Sequence, residues 1–298
     1  MRLRHITLVL ALAASVAACG GDPTKQGSAG DSKAITVGSA AFPESEIIAE
    51  IYAHALESKG IAVQKKLNIG AREVYIPALE NGEIDLIPEY TGNLLAYLDP
   101  KATATAPDDV LPALVKAVPN DLAVLSPAPA EDKDSLNVTA DFAEEQDLKT
   151  IADLAKVDGL RLAANPEFKQ RAYGVPGLEK VYGIKGIEFT PISDGGGPAT
   201  VKALVSGKVD VADIYSTTPS IKANNLVTLE DPKNLIAAQN VVPLVRKSKV
   251  TDEVVQALDA VSAALTTQEL LELNEANQGE DKTAPATLAK EWVAEHVK

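Results

Sequence analysis

One segment of the chain occurs twice. Ala78-Leu79-Glu80-Asn81-Gly82-Glu83-Ile84-Asp85-Leu86-Ile87-Pro88-Glu89-Tyr90 matches Ala203-Leu204-Val205-Ser206-Gly207-Lys208-Val209-Asp210-Val211-Ala212-Asp213-Ile214-Tyr215, 125 residues further on. In both copies a helical run ends at Ala-Leu-x-x-Gly, and Gly readily supplies the left-handed residue that closes a helix. A β-rich Ile/Val-Asp-Leu/Val run follows, and a Tyr stands eight residues after the Gly. A separation of that size is about one domain. The repeat predicts two units of one design, each with a Tyr just beyond the C-terminal end of a strand. Open α/β sheets bind ligands at that end, so Tyr90 and Tyr215 would form opposite walls of a cleft. Two buried structural Tyr in ordinary βαβ units would give the same pattern.

The surrounding chain alternates in the same way. Ile35 to Gly38, Ala62 to Leu67 and Ile84 to Ile87 read as strands. Glu44 to Lys59, with Ile47, Ile48, Ile51 and Ala55 at helical spacing, and Glu73 to Asn81 read as helices. The alternation continues through Leu160 to Leu229. Strands alternating with helices predict parallel βαβ units and an α/β fold. Three further helices are predicted at Asp252 to Leu265, Gln268 to Asn277 and Pro285 to Glu295, the last with Pro in its first turn.

The N-terminus predicts export. A basic head, Met1-Arg2-Leu3-Arg4-His5, precedes an apolar run from Ile6 to Val16 broken only by Ser15. That run is shorter than the ~20 residues of a membrane span and reads as a signal peptide, residues 1–18. Val16-Ala17-Ala18-Cys19-Gly20 resembles a bacterial lipobox, which implies acylation of Cys19. An ordinary cleaved signal with a chance Cys is the alternative. Gly20 to Lys33 is rich in Gly, Ser, Asp and Lys and reads as a flexible tether. The expected location is the outer face of the cell membrane, held by the lipid.

Charge and motifs remove several function classes. Without residues 1–18 the chain carries 26 basic residues against 42 acidic, the wrong balance for nucleic acid. Cys19 is the sole Cys, so no intrachain disulfide forms. His54 and His296, the His residues after the signal, show no metal-ligand spacing. No nucleophile elbow, zinc-protease or phosphate-loop motif occurs, and Gly195-Gly196-Gly197-Pro198 lacks the Lys and hydroxyl of a phosphate loop. We expect no enzyme activity, no cofactor and no metal site.

Several segments resemble the binding component of osmoprotectant ABC importers for glycine betaine, carnitine and choline. They include Val37-Gly38-Ser39-Ala40-Ala41-Phe42-Pro43-Glu44-Ser45, Arg72-Glu73-Val74, and Pro88-Glu89-Tyr90-Thr91-Gly92. Further on come Asp213-Ile214-Tyr215-Ser216-Thr217, Leu229-Glu230-Asp231 and Asn240-Val241-Val242-Pro243-Leu244-Val245-Arg246. The resemblance spans 34–298. It implies a two-lobed, type II periplasmic-binding-protein fold with a discontinuous first lobe, 34–136 plus 240–298, and a second lobe, 137–239. It implies a monomer that binds a small quaternary-ammonium solute and passes it to an ABC permease and its ATPase.

In that family a cage of Tyr rings holds the ammonium group, and polar or cationic groups hold the carboxylate. Tyr90 and Tyr215 align with two cage rings, and Arg171 falls where some members place the carboxylate-binding Arg. A third ring position falls near Asp134 and a fourth at Gln239, so half the cage is expected to be missing. Ser39 and Phe42 lie on the first strand–helix turn and are expected near the cleft. Asn93 and Thr217 are ligand contacts or helix caps. Glu44 is assigned to the helix start, Arg72-Glu73 to a cap or interlobe ion pair, and Trp292 to helix packing. A different solute in the same fold (choline-like, polyol-like or aromatic) is the nearest alternative function. A sensor or an enzyme of the envelope is the more distant one.

Overall fold

The computed structural model describes residues 34–297. The signal peptide, Cys19 and the tether expected at 19–33 lie outside the described residues. Two five-stranded sheets dominate the fold. The first contains β1 (Ile35–Gly38), β2 (Val63–Lys66), β3 (Leu86–Tyr90), β4 (Leu122–Val124) and β10 (Val241–Arg246), in the order β2-β1-β3-β10-β4. The second contains β5 (Leu136–Thr139), β6 (Arg161–Ala164), β7 (Glu188–Pro191), β8 (Val211–Asp213) and β9 (Leu226–Thr228), in the order β7-β6-β8-β5-β9. Each sheet with its helices forms one lobe.

The wiring of the two sheets is equivalent, as the repeat predicts. In each, a central strand of the repeat pairs in parallel with the strand two before it in the chain, at Val37–Leu86 and Leu162–Val211. Gly82 and Gly207, with φ of 76° and 69°, end the preceding helices. The repeat Asp does the same work twice. Asp85 accepts from the Thr36 N–H at 3.0 Å, and Asp210 accepts from the Arg161 N–H at 2.9 Å. Each carboxylate thereby ties its strand to the neighbouring one.

The sheets are mixed rather than wholly parallel. β10 runs antiparallel to β3 and β4, and β5 runs antiparallel to β8 and β9. Both of these strands arrive from the other lobe instead of following a crossover helix, so the handedness and direction of a βαβ unit do not apply to them. The chain passes between lobes after β4 and again before β10. The two passages lie side by side: Glu131 and Asn240 form an antiparallel bridge, and the Val241 N–H donates to the Ala130 carbonyl at 3.0 Å.

Helix α1 (Pro43–Ser58) anchors the first core. Pro43 sits at its first turn, where its missing N–H costs nothing. Ile47, Ile48, Ile51, Tyr52 and Leu56 are fully buried, each worth about 1.5–3 kcal/mol of transfer from water. They pack against the C-terminal helices Asp252–Ala264, Thr267–Gln278 and Pro285–His296. Trp292 belongs to this packing, and its Nε1–H donates to Glu269 Oε2 at 2.6 Å. The second lobe has its own core, built on Leu136, Val138, Leu162, Val211 and Phe168. No described helix is long and apolar enough to cross a membrane.

Candidate functional site

A cavity of about 240 Å³ lies between the lobes. The first lobe contributes the turn after β1, the start of helix α2 (Arg72–Glu80) and the end of β3. The second contributes the segments after β6, β7 and β8. These are carboxyl ends of parallel strands, where the loops are free to meet a ligand.

Aromatic rings line both walls. Tyr90 ends β3 and Tyr215 follows β8, and Phe42 stands between them. Its ring centroid lies 5.3 Å from Tyr215, edge to face, and 6.1 Å from Tyr90. Tyr75 on α2, and Phe168 and Tyr173 after β6, complete the set of six. Asn165 donates to the Tyr215 hydroxyl at 3.0 Å and fixes that ring.

Beneath Tyr90 lies Glu44, 4% exposed. It accepts from the Tyr90 hydroxyl at 2.6 Å, the Thr217 hydroxyl at 2.5 Å and Asn274 Nδ2 at 2.6 Å. One carboxylate thus joins α1, β3, the segment after β8 and a C-terminal helix. Burial raises the Glu44 pKa against the pull of these donors. Asp132, in the first passage between lobes, accepts from the Thr217 N–H at 3.0 Å. Burial pushes its pKa well up, and the nearby Glu44 charge adds to that.

The cavity's two guanidinium groups are already paired. Arg72 holds Glu89 with two bonds, 2.7 and 2.8 Å, and Tyr75 donates to the same carboxylate at 2.7 Å. Arg171 reaches across the cleft to Glu73 at 2.9 Å and stands over the Tyr97 ring at 5.9 Å. The lining also contains Asp132, Asp134, Glu167 and Asp213. Burial, followed by the charge of Asp134, raises the Asp213 pKa well above the ordinary carboxylate value.

A family model, the substrate-binding domain of the ABC-type glycine betaine transport system, matches residues 33–295. The chain belongs to this family. Its members bind small solutes and deliver them to an ABC permease. The chain is 33% identical over 254 residues to the glycine betaine-binding protein YehZ of Escherichia coli K12, covering 80% of this chain and 83% of that one. A structure of apo YehZ from Escherichia coli superposes with a TM-score of 0.62 at 29% identity, over 89% of this chain and 99% of that one. A glycine betaine/carnitine/choline ABC transporter structure gives a TM-score of 0.69 at 24% identity, over 88% and 98%. The fold is accordingly the type II periplasmic-binding-protein fold.

Within this binding-protein fold, six residues singled out from the sequence line the cavity or its rim: Tyr90, Tyr215, Phe42, Asn93, Asp134 and Arg171. Three others stand behind the lining. Ser39 is fully buried in the turn after β1, where its hydroxyl accepts from the Asn68 N–H at 2.8 Å. Thr217 is spent on Glu44 and Asp132. Gln239 is also buried; its Nε2 donates to Asn93 Oδ1 at 2.7 Å, and Asn93 in turn donates to Asp134 Oδ2 at 2.7 Å. Gln239 braces the wall instead of replacing a ring.

Tyr75, Phe168 and Tyr173 were not read from the sequence, and they add three rings to the lining. One signal for Tyr75 exists: it stands three residues after Arg72, on the same face of α2. Glu73, assigned to a cap or an interlobe pair, forms the interlobe pair with Arg171. Arg72 pairs within its own lobe.

Proposed function

We propose that the chain binds a quaternary-ammonium solute of the glycine betaine class in the interlobe cavity and delivers it to an ABC permease driven by its ATPase. The supporting observation is the cluster of aromatic rings on both walls, with Tyr90 and Tyr215 on opposite lobes. A quaternary ammonium has no N–H to donate, and ring faces attract it through their negative quadrupole. In this reading Tyr90, Tyr215, Phe42, Tyr75 and Tyr173 face the ammonium group, while Asn93, Asp134 and Arg171 meet the polar end. Ligand bridging draws the lobes, 34–136 plus 240–298 and 137–239, together about the paired passages. The carboxylates serve recognition and closure without turnover, and the chain works as a monomer.

Cys19 fits a diacylated anchor on the outer face of the membrane, because two acyl chains bind stably where one does not. Cys19→Ala is expected to move the protein into the soluble fraction. The ligand reading is tested by calorimetry with glycine betaine and choline on the wild type, Tyr90→Ala and Tyr215→Ala. A desolvated cation–π contact is worth about 2 kcal/mol, so each loss should weaken binding roughly 30-fold. Unchanged affinity in both variants would place the site elsewhere.

A further inference from the structure

The loop after β7 meets the other lobe through a residue without a side chain. Gly195 lines the cavity with left-handed backbone, φ 65°. A Cβ built on it would lie 2.9 Å from the Phe42 Cβ and 3.5 Å from the Tyr215 ring. The first of these contacts spans the cleft, because Phe42 precedes helix α1 in the first lobe. Carbon atoms pack at about 3.5–4.0 Å, so a side chain at 195 would hold the lobes apart. Gly70 is its counterpart in the repeat, 125 residues earlier and also at the cavity. There the nearest neighbour of a Cβ would be Val74 of its own lobe, at 3.4 Å.

Neither side of this contact gives way locally. The Gly195 N–H donates to Asn165 Oδ1 at 3.1 Å, and the same Asn165 holds the Tyr215 hydroxyl at 3.0 Å. Asp194 accepts from the Ala199 N–H at 2.7 Å and from the Thr200 hydroxyl at 2.6 Å, which clamps the loop to the start of the helix Pro198–Val205. Gly196 lies flat on the chain leaving β8: a Cβ there would stand 2.7 Å from Ile214 Cα, so the loop has no room to retreat. Phe42 is fixed as firmly. Its carbonyl accepts from the Glu46 N–H at 3.3 Å, and Pro43 opens the helix behind it.

We infer that Gly195 is a positioning residue of the binding site: its missing side chain lets the Phe42 ring come within 5.3 Å of Tyr215 and so sets the spacing at which the lobes close on a solute. This rests on the interlobe cavity being the binding site, whatever the class of solute. A methyl group at 195 acts on the closed arrangement alone. With the lobes apart Phe42 is out of reach, and what remains is the strain of left-handed backbone. Gly186, with φ 67° in the same lobe, has nothing within 4 Å of such a Cβ. Gly186→Ala therefore carries the strain without the contact. Apparent affinity scales with the fraction of protein in the binding-competent state, so the difference between the two variants isolates the contact.

The test is calorimetry with glycine betaine and choline on the wild type, Gly195→Ala and Gly186→Ala, with thermal unfolding of each in the absence of solute. Gly195→Ala should bind at least about tenfold more weakly than the wild type, the effect of a carbon forced into a packed site. Gly186→Ala should stay within about twofold, and the two variants should melt together without solute. In a Phe42→Gly background, where the opposing Cβ is gone, Gly195→Ala should change affinity by less than about twofold. Equal binding by Gly195→Ala and Gly186→Ala, or a loss that persists in the Phe42→Gly background, overturns the inference and leaves the quaternary-ammonium site standing. If neither solute binds the wild type, that reading falls, and a crystal structure of Gly195→Ala decides this one. Phe42 carried away with its lobe upholds the inference; a shifted loop between unmoved lobes removes it. Should Gly195→Ala fail to fold, a folded double variant with Phe42→Gly upholds the interlobe contact, and an unfolded one assigns the glycine to the loop alone.

Discussion

At the scale of single residues, the cavity wall depends on side chains packed behind it. Gln239 illustrates this. Aligned with a ring position, it invites replacement by Tyr, but its Nε2 lies 2.9 Å from the position a Cβ on Gly92 would take, so there is no slack around it. It also holds Asn93 through two bonds, one accepted from the Asn93 N–H at 2.9 Å and one donated at 2.7 Å. Gln239→Tyr is expected to destabilise the fold by about 1–3 kcal/mol through overpacking and to weaken ligand binding, because Asp134 loses its orientation. Denaturant unfolding and calorimetry on the variant check both parts. Tighter binding would show that the position faces the ligand after all. Residue type alone does not separate these cases. A buried Gln on the second layer and one on the wall read identically in a sequence, and so do Tyr75 and Tyr173 against any core Tyr.

At the scale of elements, most of the architecture was legible. The three C-terminal helices were read to within two residues at each end, because their apolar faces and the Pro at 285 mark them. The repeat correctly placed matching helix ends, which makes Gly82 and Gly207 a controlled pair. Both hold left-handed backbone, but a Cβ at Gly207 meets nothing within 4 Å, whereas one at Gly82 would lie 2.6 Å from Arg246 Nη1. Gly207→Ala should cost about 1 kcal/mol, the strain of left-handed backbone. Gly82→Ala should cost more, since Arg246 must also move away from Asp85, which it meets at 3.1 Å. Chemical denaturation of the two variants measures the difference. What was not legible was strand direction and extent. The sequence reading ends this strand at Ile87, whereas β3 runs on through Pro88 to Tyr90, although Pro cannot donate to a ladder. In the fold Pro88 faces Pro243 across the β3–β10 ladder, and β1 pairs with β3 at Leu86, short of Pro88. Only the tertiary neighbour makes Pro acceptable there. The same holds for antiparallel β5 and β10, whose directions are set by where the chain enters the sheet.

At the scale of the whole molecule, the acids that hold the lobes in register make stability depend on pH. Glu44, Asp132 and Asp213 all have pKa values raised by burial. A carboxyl with a raised folded-state pKa binds its proton more tightly folded than unfolded, so its contribution is fully present below about pH 4 and is lost as pH rises through the folded value. Asp213→Asn removes this penalty. The unliganded variant should therefore melt above the wild type at neutral pH, and the gap should close as pH falls toward about 4. Thermal unfolding monitored by circular dichroism across that range checks it, and a constant gap would assign the effect to something other than protonation. The position of β10 has a consequence of another kind. It lies between β3 and β4 yet begins at Val241, whereas every strand of the second sheet lies within 136–228. As the chain emerges from its N-terminus, the second sheet has all its strands in hand while the first still lacks one of its inner members. The lobe that starts first is thus completed last, and until the final fifth of the polypeptide arrives its sheet lacks an inner strand.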